Sequence, residues 1–135
     1  MQLYKKILVT IDCSHVDDVI IEHVSALALQ NRAQVTLFHV VHSHTLDQDR
    51  VLHEKAQLTL NLHYEKLRAL HIEARILIKS GEPDREIINE IESESYDLVA
   101  MATHGHTFFG DLLFGSVSRS LKHRISTPLL LIGPQ

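Results

Sequence analysis

The chain has 135 residues, with 17 acidic and 13 basic side chains and a single cysteine. This length predicts one domain over residues 1–135 with a substantial core, and the net charge of -4 argues against a general nucleic-acid binder. One cysteine excludes an internal disulfide and fits a reducing compartment. No apolar run is long enough to cross a bilayer and the amino terminus lacks a signal-peptide pattern, so we expect a cytoplasmic protein without membrane contact.

Strand-like and helix-like segments alternate along the first part of the chain. The β-branched run Tyr4–Ile11 predicts a first strand. A helix is predicted to follow as far as about Asn31, beginning with a capping box between Ser14 and Asp17. The nearly continuous apolar run Gln34–Val41 predicts a second strand.

A long helix is predicted after the second strand. Thr45 and Gln48 have the spacing of a capping pair, and the pattern extends to about Leu70. The expected apolar face consists of Leu52, Ala56, Leu60, Leu67 and Leu70.

The second half of the chain continues the alternation. Glu73–Lys79 predicts a third strand at a sheet edge, and Pro83 suits the first turn of a third helix. Asp97–Met101 and Pro128–Ile132 predict the fourth and fifth strands, with a fourth helix over 116–124 between them. The residues expected on the buried face of the third helix are Ile87, Ile88 and Ile91.

Five apolar strands alternating with four helices predict a single-domain α/β fold. Such strands form an open parallel sheet with helices on both faces. Right-handed crossovers restrict its topology, although the residues alone do not give the strand order.

The connection between the fourth strand and the fourth helix is rich in glycine. Gly105 and Gly115 would let backbone amides approach a ligand closely, and Ser116 would cap the new helix. The first turn of that helix contains no acidic residue, while Arg119 lies close by. A glycine-rich loop between a buried strand and a helix N-terminus is typical of a phosphate site.

This loop resembles the nucleotide loop of the ATP-binding universal stress proteins, Gly-x2-Gly-x9-Gly-Ser/Thr. The spacing matches from Gly105 through Gly115 and Ser116, but Ala102 stands in place of the first glycine. The resemblance covers essentially the whole chain. It is carried by the segments 6–9 with Asp12, 38–41, 80–83, 97–105 and 128–132. The resemblance implies a Rossmann-like sheet of the adenine nucleotide α-hydrolase type, with strand order 3-2-1-4-5.

The implied strand order makes the first and fourth strands neighbours where the winding reverses, and ligands bind beside such a point. By resemblance, Asp12 lies at the adenine end of the crevice, and Thr10 and Ile11 lead into the same edge. Val40 matches the family position whose backbone contacts the adenine edge. The competing interpretation is that Asp12 is a solvated residue in a helix-entry turn.

The resemblance assigns the phosphate contacts to the loop and to the following helix. These residues are His104, Gly105, Gly115, Ser116, Val117 and Ser118, together with Ala102 at the end of the strand. The alternative is that the glycines and the serine only shape a turn and cap a helix. A methyl group at Ala102 is tolerable in extended backbone and strained at positive φ. Mg²⁺ would accompany a triphosphate, held mainly by phosphate oxygens and water.

We therefore expect a universal stress protein that binds ATP or a related adenine nucleotide and acts as a regulator or sensor. No nucleophile with a base and an orienting group is identifiable, so at most slow hydrolysis is expected. The alternative is a family member that binds no nucleotide and acts through protein contacts. Ligase or dehydrogenase activity is disfavoured, because the segment 12–15 contains no glycine.

Three further expectations concern assembly and isolated side chains. Family members pair the last strand with its twin, so the apolar segment Pro128–Ile132 predicts a homodimer. Cys13 is expected to be a buried filler rather than a reactive thiol. His42 and His44 have metal-pair spacing without an identifiable third ligand, so a polar loop is expected there.

Overall fold

The computed structural model describes residues 3–102 and 126–133, which form five strands and three helices. The strands are β1 Lys6–Thr10, β2 Gln34–Val41, β3 Glu73–Ser80, β4 Leu98–Ala102 and β5 Leu129–Ile132. The helices are α1 Val16–Asn31, α2 Leu46–Ala69 and α3 Pro83–Ser93. The helix predicted over 116–124 lies outside the described residues.

The strands form one parallel sheet with the order β3-β2-β1-β4-β5. In the register, Val9 lies between Leu37 of β2 and Ala100 of β4. The predicted open sheet and the implied order are therefore confirmed. The winding reverses between β1 and β4, so their carboxyl ends meet at the predicted switch point.

The two faces of the sheet carry separate apolar clusters. Ile7 and Val9 pack with α1 and α2 on one face, and Leu8 packs with α3 on the other. This division follows from the alternation of side chains along a strand and from the right-handed crossovers. Pro83 begins α3, and the predicted isoleucines of that helix are buried. Helix α2 consequently lies on the same face as α1, beside the carboxyl end of β2.

The entry to α1 differs from the predicted capping box. The Asp17 N–H donates to the Ser14 carbonyl at 3.1 Å, and the Ser14 hydroxyl donates to Asp12 Oδ2 at 2.8 Å. The helix begins at Val16 with His15 at the cap position and no side-chain cap. Of the two hydrogen bonds of a capping box, only the one to the Asp17 side chain is present: Asp17 Oδ2 accepts the Ser14 N–H at 3.2 Å. The Ser14 hydroxyl, which the pattern assigned to the cap, instead donates to the nearby Asp12 carboxylate.

The predicted cap of α2 is confirmed. Thr45 Oγ1 accepts the Gln48 N–H at 3.1 Å, and Gln48 Oε1 accepts the His44 N–H at 2.9 Å. The prediction for Leu70 was wrong: this side chain lies beyond the helix and is 44% exposed. The chain turns sharply into His71, which has a φ of 62°, and this turn carries Leu70 away from the core.

Candidate functional site

A cavity of about 590 Å³ lies between the carboxyl ends of β1 and β2 and helix α2. Its size is within the range of small-molecule sites. Apolar side chains form much of the wall, and polar groups converge on it from the β1–α1 turn, the end of β2 and α2. The lining residues are Asp12, Cys13, His39, Val40, Val41, His42, Leu52, Lys55, Ala56, Leu58, Thr59 and Pro83.

Asp12 is a fixed part of the cavity wall. It is 3% exposed, so the solvated alternative is wrong. Its Oδ2 accepts the Ser14 hydroxyl at 2.8 Å, and its backbone N–H donates to Asp17 Oδ1 at 2.8 Å. A carboxylate held in this way presents hydrogen-bond acceptors to a ligand with little further ordering.

Cys13 follows in the left-handed region, with a φ of 62°. Burial raises the pKa of its thiol to about 12, and the carboxylates of Asp17 and Asp12 add to the increase, while a hydrogen bond with Thr59 opposes it. The thiol is thus protonated at neutral pH and is a poor nucleophile. This agrees with the expected buried filler.

His39 projects from β2 beside the same turn, and sequence analysis gave it no role. Its Nδ1 lies 2.6 Å from the Ile11 carbonyl, which assigns the proton to Nδ1. Burial lowers the pKa of His39 and favours the neutral ring. A neutral imidazole with Nδ1 protonated carries its acceptor at Nε2. A histidine within an otherwise apolar strand was the signal that could have identified this residue.

Val40 lines the cavity next to His39. It is 2% exposed, and its side chain belongs to the apolar cluster on the α3 face. Its side chain therefore points to the opposite face of the sheet, so its contribution to the cavity is the backbone. This is the kind of contact that sequence analysis assigned to Val40.

Helix α2 supplies the opposite wall, which sequence analysis missed. Lys55 is exposed at the cavity lip, Ala56 is buried, and Thr59 lies one turn farther along. The helical pattern identified Ala56 as a core residue only. Residues spaced 55, 56 and 59 on one helix share a face, but their position over the end of β2 depends on tertiary packing.

Three predicted residues lie outside the cavity lining. Thr10 and Ile11 are buried in the sheet, and the Thr10 hydroxyl is 3.5 Å from the Ala100 carbonyl oxygen. Ala102 is 5% exposed and is the last residue of β4, in extended backbone. The methyl group therefore creates no strain of the kind that a positive φ would cause.

The remaining predicted ligand contacts fall on residues that the structure does not describe. They are His104, Gly105, Gly115, Ser116, Val117 and Ser118.

The described ranges contain neither a candidate metal cluster nor a candidate membrane-spanning helix. Within 3–102 and 126–133, no cluster of three or more histidine, cysteine or acidic residues is arranged to hold a metal ion. No helix in the same ranges is both long and apolar enough to cross a bilayer. The His42 and His44 rings instead contact each other edge to face, with centroids 5.5 Å apart.

Comparison with known proteins identifies relatives that share nearly the whole chain. The model of the universal stress protein family matches residues 3–133. The universal stress protein MJ0577 of Methanocaldococcus jannaschii is 23% identical, over 96% of this chain and 95% of its own. The solved MJ0577 structure superposes with a TM-score of 0.82 and 26% identity, covering 98% of both chains.

Two further solved structures share the fold and contain a nucleotide. A universal stress protein in complex with cAMP has a TM-score of 0.71 and 17% identity, covering 96% of this chain and 97% of that one. The universal stress protein of Archaeoglobus fulgidus in complex with dAMP has a TM-score of 0.71 and 19% identity, covering 96% of this chain and 98% of that one.

Proposed function

Because the chain belongs to the universal stress protein family, we propose that it binds ATP or a related adenine nucleotide and acts as a stress-response regulator or sensor. The observation that carries the proposal is the cavity at the carboxyl ends of β1 and β2, where Asp12 and Val40 meet. The resemblance to the family assigned both residues to the adenine end of a ligand.

The cavity walls suit a purine base. Ala56, Leu52 and the Val40 backbone provide flat or apolar surfaces, and the Asp12 carboxylate supplies an acceptor. An adenine ring carries an exocyclic amino group that donates to such an acceptor. The wall therefore offers apolar contact to the ring and a hydrogen-bond acceptor to its amino group.

The phosphates would lie at the glycine-rich loop after β4. We propose backbone contacts from Gly105, Gly115 and Val117 and a hydroxyl contact from Ser116, with His104 and Ser118 nearby. The extended backbone of Ala102 supports this proposal, since the missing glycine was the main departure from the family pattern. Mg²⁺ would be held mainly by phosphate oxygens and water, because the described residues offer no three-ligand cluster.

Relatives with adenine nucleotides support the ligand class. The cAMP and dAMP complexes share this fold, although at 17% and 19% identity they carry no residue-level argument. The alternative function is a family member without nucleotide that acts through protein contacts. The sequence argument for this alternative was that Ala102 replaces the first glycine of the loop motif. Because Ala102 has extended backbone, its methyl group causes no strain that would favour the alternative.

We further propose a cytoplasmic homodimer. Strand β5 is at the edge of the sheet, and Leu131 is 42% exposed there. An exposed apolar edge strand is a template for pairing, and a second copy of the same strand would cover it.

Replacing Asp12 with alanine tests the proposed base contact. Calorimetric titration of the wild type with ATP and Mg²⁺ should show saturable binding. The substitution should weaken ATP binding by about tenfold, because it removes the acceptor for the amino group.

The exposed Asp47 gives a matched control, since its replacement by alanine removes the same charge at a residue that does not line the cavity. It should leave the affinity unchanged. Absence of heat and of any competition by ATP, AMP or GTP in the wild type would refute the nucleotide proposal in favour of the protein-contact alternative.

A further inference from the structure

A second carboxylate, that of Asp17, lies buried directly beneath the turn that carries Asp12. It is 1% exposed and is on the first turn of α1. Its Oδ1 accepts the Asp12 N–H at 2.8 Å, and its Oδ2 accepts the Ser14 N–H at 3.2 Å. One side chain thus closes the turn on both sides of Cys13, whose φ of 62° is uncommon for a residue other than glycine.

The position of Asp12 depends on this closure. Asp17 fixes the Asp12 backbone, and the Ser14 hydroxyl fixes the Asp12 carboxylate at 2.8 Å. Ser14 is itself held by Asp17 through its N–H. Removing the acceptor at Asp17 would release both ends of this arrangement without replacing any cavity-lining residue.

His63 connects Asp17 to the opposite wall of the cavity. It lies on α2, one helical turn beyond the lining residue Thr59, and it is buried. Its Nε2 is 3.9 Å from Asp17 Oδ2. Its Nδ1 is buried without a hydrogen-bond partner among the residues that the structure describes. His63 therefore places a titratable ring of the cavity-wall helix within ion-pair distance of Asp17.

We propose that Asp17 is a positioning residue for the ligand, and that with His63 it makes ligand affinity depend on the protonation of this buried pair. The inference rests on the proposed function, since it assigns a role at the same cavity. Asp17 contacts no ligand in this account and acts through Asp12.

The charges around the pair give the direction of the effect. Burial raises the pKa of Asp17 to about 7, with the nearby Asp12 carboxylate adding to the increase and the backbone hydrogen bonds opposing it. Burial also lowers the pKa of His63. The other titratable groups facing the pair are Asp12 and Cys13 on the turn, Asp18 on α1 and Lys66 on α2.

The charges of Lys66 and Asp18 offset each other at the surface, with Lys66 Nζ 3.5 Å from Asp18 Oδ1.

The ionised Asp17 accepts the N–H groups of Asp12 and Ser14, whereas protonation occupies one of its oxygens. Because the carboxyl loses its proton as the pH rises through about 7, ligand affinity should rise with pH over the same interval.

The test measures cAMP affinity by calorimetry between about pH 6 and about pH 8. The phosphodiester and the adenine ring do not titrate in this interval, so the protein alone causes any change. In the wild type, affinity should rise by about tenfold with pH, as expected for a hydrogen bond to a charged group. Asp17→Asn should bind about tenfold more weakly than the wild type at the higher pH and show a flat profile.

The matched control is Glu22→Gln, which removes an exposed carboxylate of the same helix that does not face the pair, and it should keep the wild-type profile. The Asp12 and Ser14 amide proton shifts of ligand-free wild-type protein report the same titration without any substitution. The two amide shifts should move together with a midpoint near pH 7. This wild-type measurement remains possible even if Asp17→Asn does not fold.

The outcomes separate this inference from the proposed function. Nucleotide binding with a flat wild-type pH profile, or with a profile that Asp17→Asn leaves unchanged, overturns the positioning role alone. If no adenine nucleotide binds at any pH, the proposed function fails and the role assigned to Asp17 fails with it.

Discussion

Replacing Thr59 with tryptophan is expected to abolish adenine-nucleotide binding without unfolding the protein. Thr59 lies on α2 and lines the cavity between this helix and the end of β2. The cavity measures about 590 Å³, so an indole ring directed into it would occupy the space assigned to the base. The loss should be on the order of 100-fold, because the clash is with the ligand rather than with the core. Calorimetric titration with ATP and Mg²⁺ measures it.

The control for this substitution is tryptophan at Leu62 on the same helix, where the side chain is 67% exposed. It adds the same bulk outside the cavity and should bind ATP like the wild type. If Thr59→Trp folds and binds ATP within about threefold of the wild type, the base lies elsewhere.

Replacing Leu131 with aspartate is expected to convert a dimer into a monomer. Leu131 is 42% exposed on β5, which pairs with β4 on one side and forms the edge of the sheet. A carboxylate on this strand would meet its own copy across a two-fold axis, so desolvation and like-charge repulsion would oppose pairing. Sedimentation velocity at micromolar concentration should show two chains for the wild type and one for the variant.

Aspartate at Leu29 is the matched control, because this side chain is 51% exposed on α1 and away from the sheet edge. It should leave the dimer intact. A wild-type protein that sediments as a monomer would disprove the proposed assembly, and a Leu131→Asp variant that remains a dimer would place the interface on another surface.

Much of the fold was predictable because its signals are local. The nearly continuous apolar run of β2 and the proline at the start of α3 each depend on a few neighbouring residues, and both were placed correctly. Strand order is a long-range property and came only from the resemblance. Strand ends were less accurate: β1 ends at Thr10 rather than Ile11, although the Ile11 N–H still donates to the Phe38 carbonyl at 2.7 Å.

The site was predictable only in part, because half of its wall comes from a distant element. Asp12 was identifiable as the residue that leaves β1, and Val40 from its family position. Thr59 and Lys55 carry no local signal, since their place in the cavity depends on how α2 packs against β2 and β3. The partner of Ser14 was mispredicted for a similar reason. Its hydroxyl can accept the Asp17 N–H as a cap or donate to Asp12, and in the structure it donates to Asp12.

Whether Ala102 strains the backbone could not be read from the sequence but follows from its place in β4. A missing glycine matters where the backbone needs a positive φ, and the residue type alone does not give that angle. Ala102 ends β4 in register with Ile132 of β5, which fixes it as extended. The departure from the family motif therefore falls where a methyl group fits.

The proposed function requires the adenine base to occupy the cavity between the end of β2 and helix α2. Nuclear Overhauser contacts from the adenine H2 and H8 protons of saturating ATP to methyl-labelled protein measure this directly. Cross-peaks are expected to the methyl groups of Ala56 and Thr59, both of which line the cavity. Saturable ATP binding with cross-peaks only to methyl groups outside this lining would contradict it.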